Sequence, residues 1–386
     1  MGGNFDKITK RKNTKSVKWD LKSEDILPMW VADMDFEVAF AIADAIKKRA
    51  EHPVYGYTMA GEEYYEAICS WWRKRHNFDI YKEWICYSPG VVPAINMLIK
   101  AFTKQGDKVM MGVPVYHPFF EAIKNNGCNL IQSELKYENG SYSMDFHDIE
   151  DKMKSENIKL FILCSPHNPV GRVWTKEELT RLGDLCVKYN VLIISDEIHC
   201  DLVYKGYKHI PIASICKEYS DITATCVAPS KTFNIAGLQT ASVIIANEEL
   251  RAKFNSVLES NGLMGPNMFG IEATEAAYKY GEPWLDELLI YLQNNLNYLL
   301  EYMNEKMPRL RVVVPQGTYL VWVDFSDYGL NSTELHERLL EKGKVWFNEG
   351  YIFGDAGKNF ERINIACPRE VLIEGLHRIE KALEGI

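Results

Sequence analysis

The sequence predicts an α/β protein: a mostly parallel sheet covered by helices on both faces, followed by a smaller α+β unit. Three observations carry this. The apolar runs at residues 160–164 and 191–195 are continuous and separated by a helical segment at 175–189, as expected of strands buried on both faces. At 386 residues the chain exceeds the size at which one core usually keeps growing, so two packed domains are expected. After Pro283 a long amphipathic helix carries Leu285, Leu288, Leu289, Leu292, Leu296 and Leu299 on one face. Beyond it, short strands are expected at 312–314, 319–323 and 362–366, covered by helices at 332–342 and 371–383.

In chain order, the start is basic, with Lys7, Lys10, Arg11, Lys12, Lys15 and Lys18, but no apolar stretch follows. That is neither an export signal nor a membrane span, and a solvated arm is expected. Residues 27–36, Leu-Pro-Met-Trp-Val-Ala-Asp-Met-Asp-Phe, are apolar and irregular, which suits an arm packed over a site or a neighbouring subunit. Helices are expected at 39–49 and 64–76, with an aromatic turn Val54-Tyr55-Gly56-Tyr57-Thr58 between them. A strand at 84–87 leads through Ser88-Pro89-Gly90-Val91-Val92 into a helix ending near Phe102. Glycine lets backbone approach an anion, and the free amides of a helix start point at it. The strand at 109–113 ends in Pro114-Val115-Tyr116, where an aromatic ring either packs in the core or stacks on a flat heterocycle. Thr175 and Glu178 make a capping box. A strand at 241–246 and helices at 248–259 and 269–280 complete the first unit.

Composition narrows the function. Apolar residues make up 47% and charged residues 25%, ordinary for a globular protein, and the net charge of -9 argues against a nucleic-acid surface. Nine cysteines are scattered with no C-x-x-C spacing. An odd, dispersed set without an export signal predicts reduced thiols in a cytoplasmic protein. No metal site is expected, since ligand clusters ordinarily announce themselves by short repeated spacings.

Ligands of parallel sheets bind at the carboxyl ends of strands. Ser165-Pro166-His167-Asn168 and Asp196-Glu197 fall at such ends. So does Ala228-Pro229-Ser230-Lys231-Thr232-Phe233-Asn234-Ile235-Ala236-Gly237-Leu238, directly after the run at 223–227. A lysine at the end of a buried strand loses solvation and its amine pKa falls, which suits it to Schiff-base chemistry. Singly, these residues also read as a loop lysine, a capping aspartate and a turn asparagine. Their order and spacing set them apart.

Together with Asn168-Pro169-Val170-Gly171-Arg172 and Ser195-Asp196-Glu197-Ile198-His199, the lysine segment resembles fold-type I pyridoxal-phosphate enzymes of the class I/II aminotransferase superfamily. The resemblance spans nearly the whole chain, from about Phe5 onward. It implies an aspartate aminotransferase-like fold with a large domain built on a mostly parallel seven-stranded sheet. The implied division is an arm and part of the small domain at 1–45, the large cofactor domain at 46–283 and the small domain at 284–386. By resemblance, Lys231 is the catalytic lysine, Asp196 partners the pyridine nitrogen, Asn168 donates to the phenolate oxygen and Tyr116 stacks on the ring. Gly90, Val91, Val92 and Ser230 are the implied phosphate ligands, with Tyr57 reaching the phosphate of a partner subunit in a homodimer with shared sites. Arg362 is the implied clamp for the substrate carboxylate, with Val31, Ala32 and Tyr57 toward the rest of the amino acid.

Two positions depart from the aminotransferase pattern. Gln239 stands where that branch carries a phosphate-binding arginine, and His199 where it usually carries a tyrosine near the phenolate oxygen. Both, with residues 29–36, are similar to the cystathionine β-lyase branch, the MalY/PatB-type C–S lyases. The function implied is cleavage of the Cβ–S bond of cystathionine or related cysteine S-conjugates, with no nucleic acid and no membrane involved. An aminotransferase is the alternative within enzymes. A regulatory protein acting through a partner surface on this fold is the alternative outside them.

Overall fold

A computed structural model describes residues 3–386. Its main sheet has seven strands in the spatial order Ile85–Ser88, Ala241–Ile244, Thr223–Val227, Leu192–Asp196, Ile158–Cys164, Lys108–Val113 and Asn129–Glu134. All neighbours are parallel except Ala241–Ile244, which runs against both of its partners. Side chains alternate between two cores. On Lys108–Val113, Val109 and Met111 enter one and Met110 the other, the period of two that a strand imposes. The edge strand Asn129–Glu134 is half exposed and carries Asn129, Gln132, Ser133 and Glu134. Its polar residues give no strand signature, and the sequence predicts none there. The same holds for the hairpin of Lys136–Glu138 and Ser141–Ser143.

Helix Glu282–Lys306 buries Leu285, Leu288, Leu292, Leu296 and Leu299, and its buried Asn295 donates to the carbonyls of Ile365 and Cys367 at 3.0 and 2.9 Å. It thereby fastens the C-terminal unit to the helical layer. That unit is an antiparallel sheet ordered Arg311–Val313, Leu320–Asp324, Phe360–Asn364 and Asn348–Glu349. The last strand is two residues long, too short for a periodic pattern to reveal. Leu27–Pro28 pairs in parallel with Val345–Trp346, so the N-terminal segment is built into the C-terminal unit. Among the described residues no helix is long and apolar enough to cross a membrane.

The basic start is not the solvated arm that its composition predicts. Lys7, Lys10 and Lys15 are exposed, but Lys18 is 2% exposed, with Nζ 2.7 Å from Asp35. Arg11 pairs with Asp33 and Asp35 at 2.7 Å each, and the Trp19 indole donates to Asp35 at 2.8 Å. The acidic partners come from residues 33–35, inside the irregular apolar stretch. Charges can leave water here because each is matched.

Candidate active site

Five segments leaving the strand ends enclose a cavity of about 790 Å³, its open mouth included. Gly90, Val91, Val92, Tyr116, Asn168, Asp196, His199, Ser230 and Lys231 all line it, as do Ala32 and Gln239. The structure thus brings together residues separated by up to 207 positions, from Ala32 to Gln239.

Strand Leu192–Asp196 delivers Asp196, which is 5% exposed and accepts one hydrogen bond, from the Ile198 amide at 3.1 Å. Burial pushes its pKa up to about 7, against the opposing pull of that amide and of Lys231. Strand Thr223–Val227 runs into the single turn Pro229–Thr232, which carries Ser230 and Lys231. Burial, with the Arg362 guanidinium adding to it, pulls the Lys231 amine down to about 8, while Asp33 and Asp196 hold it up. Lys231 Nζ donates to the Ala32 carbonyl at 2.6 Å, an oxygen that also accepts from the Tyr319 hydroxyl at 3.0 Å. Here the N-terminal segment touches the reactive group.

Strand Ile85–Ser88 turns at Gly90 into helix Val91–Phe102. No side chain caps that helix, so its first amides remain free beside the cavity, an arrangement that favours an anion. Strand Ile158–Cys164 leads to Asn168, whose amide meets the Cys164 sulfur at 3.4 Å and whose Oδ1 accepts from Arg362 at 2.9 Å. Its side-chain NH2 is left for a ligand. His199 is buried, and its Nδ1 has no partner. Burial first, then Lys231 and Arg362, lower its pKa to about 3, so the imidazole is neutral at ordinary pH.

Arg362, on strand Phe360–Asn364, is 2% exposed and does not line the cavity wall directly. It joins the site through Asn168. Its other donors reach the Trp30 carbonyl at 3.1 Å and Asn348 Oδ1, and its guanidinium lies 4.8 Å from the Phe353 ring centre. All these acceptors are neutral, and Nε has no partner. Burial lowers this guanidinium to about 10. Asn348 went unpredicted because only the pairing of Asn348 with Arg362 across the strands exposes it.

Two expected residues stand apart. Val31 does not line the cavity, but its carbonyl accepts from Asn364 at 2.7 Å, which anchors the segment carrying Ala32. Tyr57 is fully exposed and touches nothing in the cavity of its own chain.

A mostly parallel sheet with a half-buried lysine, a buried carboxylate and uncapped helix amides at its carboxyl edge is the arrangement of an enzyme of the aminotransferase type. The family model "Aminotransferase class I and II" matches residues 24–379, and the chain belongs to this family. Cystathionine beta-lyase PatB of Bacillus subtilis (strain 168) is 46% identical over 385 residues, covering 98% of this chain and 100% of the relative. Cystalysin from Treponema denticola, solved with a pyridoxal 5'-phosphate cofactor, is 39% identical with a TM-score of 0.97, covering 100% of this chain and 99% of that one. The pyridoxal-phosphate-bound C–S lyase from Staphylococcus hominis is 37% identical with a TM-score of 0.94, over 99% and 98% of the two chains.

Proposed function

We propose that the protein is a pyridoxal-phosphate-dependent carbon–sulfur β-lyase acting on L-cystathionine or related cysteine S-conjugates, releasing a thiol, pyruvate and ammonia. The observation that carries this is the set Lys231, Asp196 and Arg362. Asp196 and Arg362 are buried and Lys231 is half-buried, and desolvation displaces each toward its neutral form. A ring with a protonated nitrogen matches Asp196, a phosphate matches the amides after Gly90 together with Ser230, and an amino-acid carboxylate matches Arg362. The residues present therefore fit the cofactor.

When bound, the cofactor supplies an electrophilic aldehyde carbon and a protonated ring that takes up the electrons left at the substrate α-carbon. Asp196 holds the proton on the ring nitrogen. Asn168 donates to the phenolate oxygen and Tyr116 stacks on the ring, with neutral His199 beside them. Arg362 binds the substrate carboxylate with two parallel hydrogen bonds, which a lysine cannot copy. Asn168, Asn348 and the Trp30 carbonyl fix the guanidinium, and its position determines which α-carbon bond breaks. The Lys231 amine is near its titration point around pH 8, so it can take the α-proton and later return one to the departing sulfur. The Ala32 carbonyl steers that amine between tasks.

Val54, Tyr55, Tyr57 and Met59 form an exposed apolar stretch of 60% or more each. It suits burial against a second copy, with Tyr57 reaching the phosphate there, and supports a homodimer with shared sites. Nine free cysteines fit a cytoplasmic setting. The test is incubation of the cofactor-loaded enzyme with L-cystathionine without any keto acid. Equal yields of pyruvate and thiol are expected. Turnover that appears only when a keto acid is added would make the protein an aminotransferase.

A further inference from the structure

A second cavity, of about 730 Å³ with its mouth, lies on the other side of the segments that build the first. Asp196, His199 and Lys231 line the front cavity, whereas Cys200, Asp201 and His209 line the rear one together with His76. A ring nitrogen of His76, the Cys200 thiol and a carboxylate oxygen of Asp201 lie within 4.8 Å of one another, and all three residues are buried. One proton joins His76 Nε2 to Asp201 Oδ1 at 2.9 Å. Trp71 Nε1 and Thr232 Oγ1 donate to the same carboxylate at 3.1 and 3.0 Å.

Hydrogen bonding accounts for Asp201, which has three donors. It does not account for His209. That imidazole is 4% exposed and lines the cavity, and its Nδ1 has no partner. Its Nε2 meets Glu197 Oε2 at 2.8 Å, and Glu197 is itself held by Ser195 at 2.8 Å. A carboxylate on the far nitrogen is the arrangement that orients a metal-binding histidine and fixes which nitrogen is free. The two imidazole rings stand edge to face, 5.6 Å apart between centres. Two imidazoles on one tetrahedral ion would have ring centres about 5 Å apart, given metal–nitrogen bonds of about 2.0–2.1 Å.

We propose that the rear cavity binds a divalent transition ion of the zinc class through His76, Cys200, Asp201 and His209. The ion takes the place of the proton between His76 and Asp201. Tetrahedral bonds of about 2.0–2.3 Å put ligand atoms roughly 3.3–3.6 Å apart, so His76, Cys200 and Asp201 draw together from within 4.8 Å and the His209 ring moves in to complete the set. Imidazole and thiolate ligands favour such an ion over magnesium or calcium. A thiolate ligand gives up its proton, while the proton shared by His76 and Asp201 moves to the other nitrogen of His76, so binding releases one proton and strengthens with rising pH. Residues 76 and 200 are 124 positions apart, which is why cysteine spacing alone reveals no ligand set. The site does not depend on the lyase reading, because none of its ligands lines the front cavity.

The experiment titrates the cofactor-loaded enzyme with cobalt(II), and then with zinc(II), in a buffer free of thiols and chelators. The expected result is one cobalt per chain, giving the visible d–d bands of a tetrahedral thiolate site to the red of the cofactor, accompanied by proton release and displaced by zinc. Cys200→Ser and His209→Gln should each weaken binding by at least about 10-fold, judged on protein that keeps its cofactor absorbance. Lys208→Ala, at the cavity mouth, should leave binding unchanged. Should either ligand variant fail to fold, the wild-type spectrum decides. No stoichiometric cobalt, an octahedral spectrum, or equal binding by wild type and both ligand variants would overturn the proposal.

Discussion

Two groups of buried charge in this protein behave in opposite ways. Around the N-terminal segment, Lys18 meets Asp35, and Arg11 meets Asp33 and Asp35. Burial alone would lower the Arg11 pKa, yet the two carboxylates hold it above its ordinary value. At the strand ends, burial wins: Lys231 falls to about 8, Arg362 falls to about 10 and Asp196 rises to about 7. The first group is complete within the chain and serves the architecture. The second is completed only by what binds. On the proposed reading, matching rather than burial separates these two groups.

Substitutions should divide along the same line. Lys231→Ala removes the base and should lower kcat by at least about 10⁴-fold, with no loss of denaturant stability in the cofactor-free chain. Lys18→Met should do the reverse. It removes one of the two cations that meet Asp35, leaving Arg11 and the Trp19 indole, and should destabilise the fold by about 1.5–3 kcal/mol in urea unfolding, the usual loss for a hydrogen bond to a charged group. Arg362→Lys keeps the charge but loses the two-pronged geometry, and should reduce kcat/KM for L-cystathionine by about 10²-fold without lowering the unfolding midpoint. A smaller effect is expected from Tyr319→Phe, which frees the Ala32 carbonyl of one donor. It should lower kcat by a few-fold and leave cofactor content intact, as one neutral hydrogen bond contributes about 1 kcal/mol.

Residues on continuous buried strands, or at their ends, were legible in the sequence. Lys231, Asp196 and Asn168 follow runs whose apolarity marks the centre of the sheet, and strand order then brings them to one cavity. Asn129–Glu134 was not legible, because an edge strand with one wet face loses the apolar signal. Arg11 and Lys18 looked like surface charges because nothing local shows that Asp33 and Asp35 turn inward to meet them. Asn348 and Tyr319 reach the site through cross-strand register and close packing around Arg362 and Ala32, relations that one-dimensional spacing does not encode. Tyr57 faces solvent in its own chain, so its expected role rests on a second copy.

The central claim is that the site's charges are unmatched within the chain, and the most direct test is the pH dependence of stability in the cofactor-free protein. Asp196 titrates near 7 when folded and near 3.8 otherwise, so the folded state holds the extra proton between these values and stability falls as pH rises through them. Lys231 titrates near 8 when folded and near 10.5 otherwise, so here the unfolded state holds the extra proton and stability rises with pH. Each curve is taken as a difference from a variant, which cancels the contributions of His117, His167 and His199. Wild type minus Asp196→Asn should decline between about pH 4 and 7, and wild type minus Lys231→Ala should climb between about pH 8 and 10.5. Both slopes should flatten once pyridoxal phosphate is bound. Flat difference curves in the cofactor-free protein would mean that the chain already satisfies these charges, contradicting the account.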